Sequence, residues 1–151
     1  MNRMNDTEVV AGPASGRTSH THRLRGLAST GFIATVAAMV ATTLAAAVAR
    51  AVGVDFEIPD GGETIPLSGF AVVAGFFSVV GIFIAAALLR WSARPAERFV
   101  QTAVTLTRIS LVPPLLSEAD TATTTALLGL HLVAAAVMIP ALARSLRTRT
   151  G

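Results

Sequence analysis

TIPLSGFAVVAGFFSVVGIFIAAALLRW, residues 64–91, decides how the rest of the chain is read. No charged residue interrupts it between Thr64 and Leu89. A helix rises ~1.5 Å per residue, and ~20 apolar residues suffice to cross a hydrocarbon core of ~30 Å. Soluble helices keep a charged face toward water, and this run has none. The same pattern recurs in residues 26–49 and 121–143, which are free of charge, and in residues 99–117, broken only by Arg108. The fold class that follows is all-α. We expect a four-transmembrane-helix bundle over residues 26–146, with spans at about 28–50, 67–89, 97–116 and 123–143.

Composition supports this and removes other classes. The 151 residues are 52% apolar and 14% charged, with a mean hydropathy of +0.63; soluble domains run to about 45–50% and about 25%. A net charge of +3 and a pI of 11.3 invite a nucleic-acid reading. The chain offers neither a basic helix face nor an interleaved aromatic platform, so no nucleic-acid partner is expected. The chain contains no Cys, which excludes disulfides, thiol catalysis, Cys-based metal or iron–sulfur sites and palmitoylation.

All twelve basic residues are Arg, and their placement sets the orientation. Arg3, Arg17, Arg23 and Arg25 precede the first span, Arg90, Arg94 and Arg98 lie between the second and third, and Arg144, Arg147 and Arg149 follow the fourth. The other side holds only Arg50, at a span end. The positive-inside rule then expects both termini and the 90–98 connection in the cytoplasm of a multi-pass protein of the cell membrane. Trp91 stands at that interface, where an amphipathic aromatic belongs. Pro95 suits a first helical turn, and Glu97 suits the positive end of the same helix.

Residues 1–25 are polar, rich in small residues and without apolar period; they read as a disordered cytoplasmic tail. His20 and His22, beside Arg23 and Arg25, fit a solvated juxtamembrane cluster near anionic lipid better than a metal site. Residues 147–151 read as a short C-terminal tail. Ala47-Val48-Ala49 resembles a signal-peptidase site, but the run before it exceeds the ~7–15 residues of a signal core, so the first span is expected to stay.

The long outer connection is GVDFEIPDGGETIP, residues 53–66. Val54, Phe56 and Ile58 alternate with Asp55 and Glu57, and Asp60-Gly61-Gly62 supplies a turn. A short extended segment or hairpin, leaning on the helices, is expected between spans one and two. The acidic residues Asp55, Glu57, Asp60 and Glu63 lack the spacing of an EF-hand loop, and they read as solvated carboxylates rather than a metal site.

Inside the membrane, Ala34, Ala37, Ala38, Ala41 and Ala45 of span one and the pairs Ala71/Gly75, Ala74/Ser78 and Gly81/Ala85 of span two allow close backbone approach. Arg108 lies about nine residues, roughly 14 Å, inward from Phe99. Burying it near the midplane costs at least ~2.5–3.5 kcal/mol. Gln101, Thr105 and Arg108 share one helical stripe, expected to face protein or water. His131 comes out at similar depth, so a direct pair across spans three and four is expected. Its alternative is that Asp55 or Glu57 reaches in. Pro113 and Pro114 remove the partners of the Ile109 and Ser110 carbonyls and should kink or end span three, with Ser110 a candidate to satisfy them. Pro140 does the same to Ala136. The polar core is then Arg108, His131, Gln101, Thr105 and Ser110.

At GVDFEIP…IPLSGFAVV, RISLVPPLL and LHLVAAAVMIPAL the chain resembles a family of short four-helix membrane proteins of unknown function from high-GC Gram-positive bacteria. The resemblance covers residues 27–146 and implies a four-span fold without implying an activity. Functionally, a non-catalytic accessory, envelope or scaffold subunit without cofactor is expected. Its alternative is a small oligomeric transporter or channel built on Arg108 and His131. A membrane enzyme has least support, since one His and one Arg make a thin pair for acid–base chemistry. The partners would be the bilayer and either further copies or another membrane protein.

The orientation is testable because no native Cys interferes. Gly61→Cys should react with an impermeant maleimide applied to intact cells, and Ser92→Cys should not. Labelling of Ser92→Cys would invert the topology.

Overall fold

A computed structural model describes residues 15–57, 63–116 and 119–150, with side chains from residue 21 onward. It contains α1 (Ser15–Ala51), α2 (Leu67–Trp91), α3 (Pro95–Ser110), the short α4 (Val112–Leu116) and α5 (Thr121–Thr150). Four stretches are long and apolar enough to cross a membrane, the third made of α3 and α4 together. Short connections make successive helices antiparallel. α1 packs on α2 and α5, and α3 packs on the same two; α2 and α5 also touch, whereas α1 and α3 do not. The bundle is thus a ring α1–α2–α3–α5 with a short diagonal.

Small residues set the spacing, as the sequence implied for lipid, where apolar attraction does not separate helix from solvent. Ala34, Ala38 and Ala46 of α1 and Ala74, Ser78 and Ala85 of α2 are buried. A methyl group on Gly31 would sit 2.7 Å from the Ile82 side chain, and one on Gly75 would sit 3.1 Å from Met39 Sδ. The large side chains point outward instead: Phe76, Phe77 and Phe83 of α2 and Phe32, Ile33 and Leu44 of α1 are exposed. That inversion of the soluble pattern suits an apolar solvent.

The core has two parts. At the Arg-rich end, Leu27, Ala85, Phe99, Met138, Leu142 and Leu146 pack together. At the opposite, loop end, Ala46, Phe56, Phe70 and Leu130 do so. α1 begins at Ser15, inside the stretch expected to be a disordered tail, and α5 runs on to Thr150 through the expected C-terminal tail. Once a long span has nucleated a helix, propagation adds one hydrogen bond per residue. No proline stands between Pro13 and Pro59 to stop it. The two extensions meet: Leu146 is buried with Leu27, and the Arg149 guanidinium lies against Gly26. Residues 1–14 of the expected tail fall outside the described residues.

Pro113 and Pro114 end α3 as expected, with Leu111 forming a turn before α4. Pro140 is carried inside α5, which continues through it. Pro95 occupies the first turn of α3 and Glu97 follows it, paired with Arg94 at 3.5 Å on the surface. Arg90 stands 6.0 Å over the Trp91 ring at the same end of the bundle.

The loop between α1 and α2 follows the predicted alternation. Phe56 is fully buried and Val54 partly so, while Asp55 and Glu57 are exposed. The chain pairs Glu57 with Thr64 in one antiparallel bridge, and Ile65 N–H donates to the Phe56 carbonyl at 3.1 Å. Ile58 and Asp60 lie outside the described residues. Phe56 packs on Phe70 with ring centroids 4.8 Å apart. It does so from φ 52°, a left-handed conformation that a bulky residue adopts only where surrounding packing holds it. Burial of the ring supplies that packing. Phe56→Asp should therefore lower the melting temperature of the purified protein by several degrees, and Glu57→Ala should leave it near the wild-type value. Equal tolerance of both would mean that the ring carries no packing energy.

Candidate functional site

The inner face of α3 is apolar and small. Ala96 and Phe99 are buried, and Val100 and Ala103 join the same core. Thr107 turns its hydroxyl onto the Ala103 carbonyl at 2.8 Å, and Ser110 donates to the Thr107 carbonyl at 2.8 Å. Both hydroxyls thereby stay within their own helix. Ser110 does not satisfy the carbonyls freed by Pro113 and Pro114, because its one proton goes to Thr107.

Gln101, Thr105 and Arg108 occupy the opposite face. All three are exposed, so the stripe expected to turn inward points away from the bundle. The reason is packing: a helix with Ala96, Phe99, Ala103 and Thr107 on one side seats that side against α2 and α5, and residues half a turn away are carried outward. Glu97 and Arg98 extend the exposed polar surface toward the Arg-rich end, where they line a shallow depression with Ser92, Arg94 and Gln101. Toward the loop end the face becomes apolar at Val112, Leu115 and Leu116.

The Arg108 guanidinium makes no hydrogen bond or ion pair among the described residues. His131 is half-buried, and its Nδ1 lies 2.8 Å from the Leu127 carbonyl. A carbonyl only accepts, so Nδ1 carries the proton and Nε2 is left as an acceptor. The expected Arg108–His131 hydrogen bond is not formed; each side chain answers to its own helix. Asp55 and Glu57 are exposed at the loop end and do not reach Arg108 either. No group of three or more His, Asp or Glu gathers among the described residues in a way that would hold a metal ion.

Two polar contacts escaped sequence reasoning. Arg50, which looked like a stray charge at a span end, donates from its guanidinium to the Ile65 carbonyl and ties the end of α1 to the approach of α2. Asp120 caps α5: its Oδ1 accepts from Ala122 N–H at 2.8 Å and from Thr123 N–H at 3.1 Å. The Asp-x-x-Thr spacing ahead of an apolar run was the available signal. The Thr123 side chain and then these N–H groups hold the Asp120 carboxyl below its ordinary range. The Thr123 hydroxyl falls outside hydrogen-bond geometry, so the two N–H groups define the cap. A depressed carboxyl keeps its stabilising contribution above its ordinary range and loses it as acidification passes through the lowered value.

A family model described as "Family of unknown function (DUF6069)" matches residues 22–148. No curated protein matches the chain, and no solved structure does.

If the stripe is unpacked in the isolated chain, Arg108→Leu should leave the melting temperature of the purified protein unchanged or raise it. The double substitution with His131→Leu should be additive within ~0.3–0.5 kcal/mol, the range for sites that share no partner. A larger coupling would restore the direct pair.

Proposed function

The chain belongs to DUF6069, and because that family brings no activity with it, we propose a role from geometry: a non-catalytic membrane subunit that docks sideways onto another membrane component through the outer face of α3. The observation that carries this reading is the exposure of Gln101, Thr105 and Arg108 on a helix apolar enough to cross a membrane. Polar and charged groups at membrane depth are costly unless they meet protein or water. Among the described residues nothing covers them, whereas the apolar faces of α1 and α2 already suit lipid.

The same face argues against conduction. The stripe stops at Arg108, beyond which Val112, Leu115 and Leu116 are apolar, a pattern that suits a docking face better than the wall of a pathway. The non-catalytic reading is supported by the thinness of one His and one Arg as an acid–base pair. The distribution of Arg supports a cell-membrane protein with both termini in the cytoplasm, so the docking face runs from the cytoplasmic boundary past the membrane centre.

Extraction of native membrane into polymer-bounded nanodiscs tests the reading. The tagged wild-type chain should emerge in particles that contain a second polypeptide in fixed ratio. A Gln101→Leu, Thr105→Leu, Arg108→Leu triple variant should emerge alone with unchanged thermal stability. Wild-type particles holding the single chain and lipid only would end the proposal.

A further inference from the structure

The nine acidic residues of the chain are Asp6, Glu8, Asp55, Glu57, Asp60, Glu63, Glu97, Glu118 and Asp120. None lies inside an apolar run at the level of Arg108. Glu97 stands at the start of α3 with Arg94, and Asp120 is spent on the cap of α5. Among the described residues no carboxylate reaches Arg108, which leaves its counter-charge to another molecule.

Position along the helix narrows the source. Arg108 lies ~20 Å along the axis from Pro95 and ~12 Å from Leu116. Side chains on a helix lean toward its N-terminus, here the Pro95 end and the farther boundary. Snorkelling to the head-group phosphates on that side has too far to go, and the nearer boundary lies against the lean. A second copy is no better a source. Copies inserted with one topology and related by an axis normal to the membrane bring every Arg108 to the same depth, which sets like charges against each other in a medium that screens poorly. The second copy also lacks a carboxylate to offer.

Resting on the lateral-docking reading above, we infer that the outer face of α3 receives a transmembrane helix of a different protein, one that carries an Asp or Glu at the depth of Arg108. The carboxylate accepts a charge-assisted hydrogen bond from the guanidinium, bidentate where geometry permits. Thr105 and Gln101, about one and two turns nearer the Pro95 end, add donors and acceptors that fix the register of the incoming helix. Val112, Leu115 and Leu116 meet its apolar remainder.

Site-specific photocross-linking in native membranes separates the possibilities. Thr105→p-benzoylphenylalanine is irradiated in the full-length protein, with Val73→p-benzoylphenylalanine on the lipid-facing side of α2 as control, and adducts are mapped by mass spectrometry. The expected result is an adduct from position 105 and none from 73, mapping to an apolar segment of another protein that contains Asp or Glu. Adding Arg108→Leu should lower its yield about fivefold or more, and Arg108→Lys should retain most of it. With the acid mapped, Arg108→Glu should abolish the adduct and the reciprocal acid-to-Arg change in the partner should restore it. An adduct with a second copy, or with a partner segment lacking an acid, overturns this inference and leaves lateral docking standing. Lipid adducts alone overturn both.

Discussion

A membrane helix satisfies its backbone internally and gains nothing by hiding apolar side chains from an apolar solvent, so shape alone must hold it to its neighbours. In this protein shape means the bare surfaces of α1. Gly31 receives Ile82, Gly75 of α2 receives Met39, and Ala34, Ala38 and Ala46 let the backbones draw close. Because α1 packs on both α2 and α5, its position fixes the two helices that in turn seat α3. The outer face of α3, and with it Arg108, is aimed by a chain of contacts that starts at glycines and alanines on another helix.

The loop end is held by different means. There Phe56 drops into the space between Ala46, Phe70 and Leu130, and Arg50 grips the Ile65 carbonyl. One aromatic ring and one guanidinium restrain a connection that crosses between two antiparallel helices. The backbone strain at Phe56 is local and is offset by the burial of its own side chain. The Arg-rich end uses helix continuation instead, with Leu27 against Leu146 and Arg149 against Gly26.

Much of this was legible in the sequence. Apolar runs of membrane-crossing length, three uncharged and one broken only by Arg108, located the four long helices, and the period-two pattern at Val54, Asp55, Phe56 and Glu57 foretold which of them would be buried. Pro113 and Pro114 marked the end of α3 by covalent structure alone. What escaped had a common cause. The Gln101, Thr105 and Arg108 stripe was expected to face protein or water, and the matched depth of His131 turned that expectation inward, whereas all three are exposed. The apolar, regularly spaced Ala96, Phe99 and Ala103 on the other side carried the information that decided it. Arg50 and Asp120 were missed because one bond joins residues distant in sequence and the other depends on a turn whose geometry the residue types only suggest.

The weak apolarity of the third span bears on how the chain enters the bilayer. Interrupted by Arg108 and Gln101, it is the least apolar of the four, and a segment carrying Arg near its centre partitions poorly on its own. α2 directly before it is the most apolar, and only residues 92–94 separate the two. Insertion as a hairpin, with α2 drawing α3 across, is the route that this difference favours. A span that enters in this way reaches the bilayer with the part of its inner face that packs on α2 already covered, and α5 completes the seat afterwards.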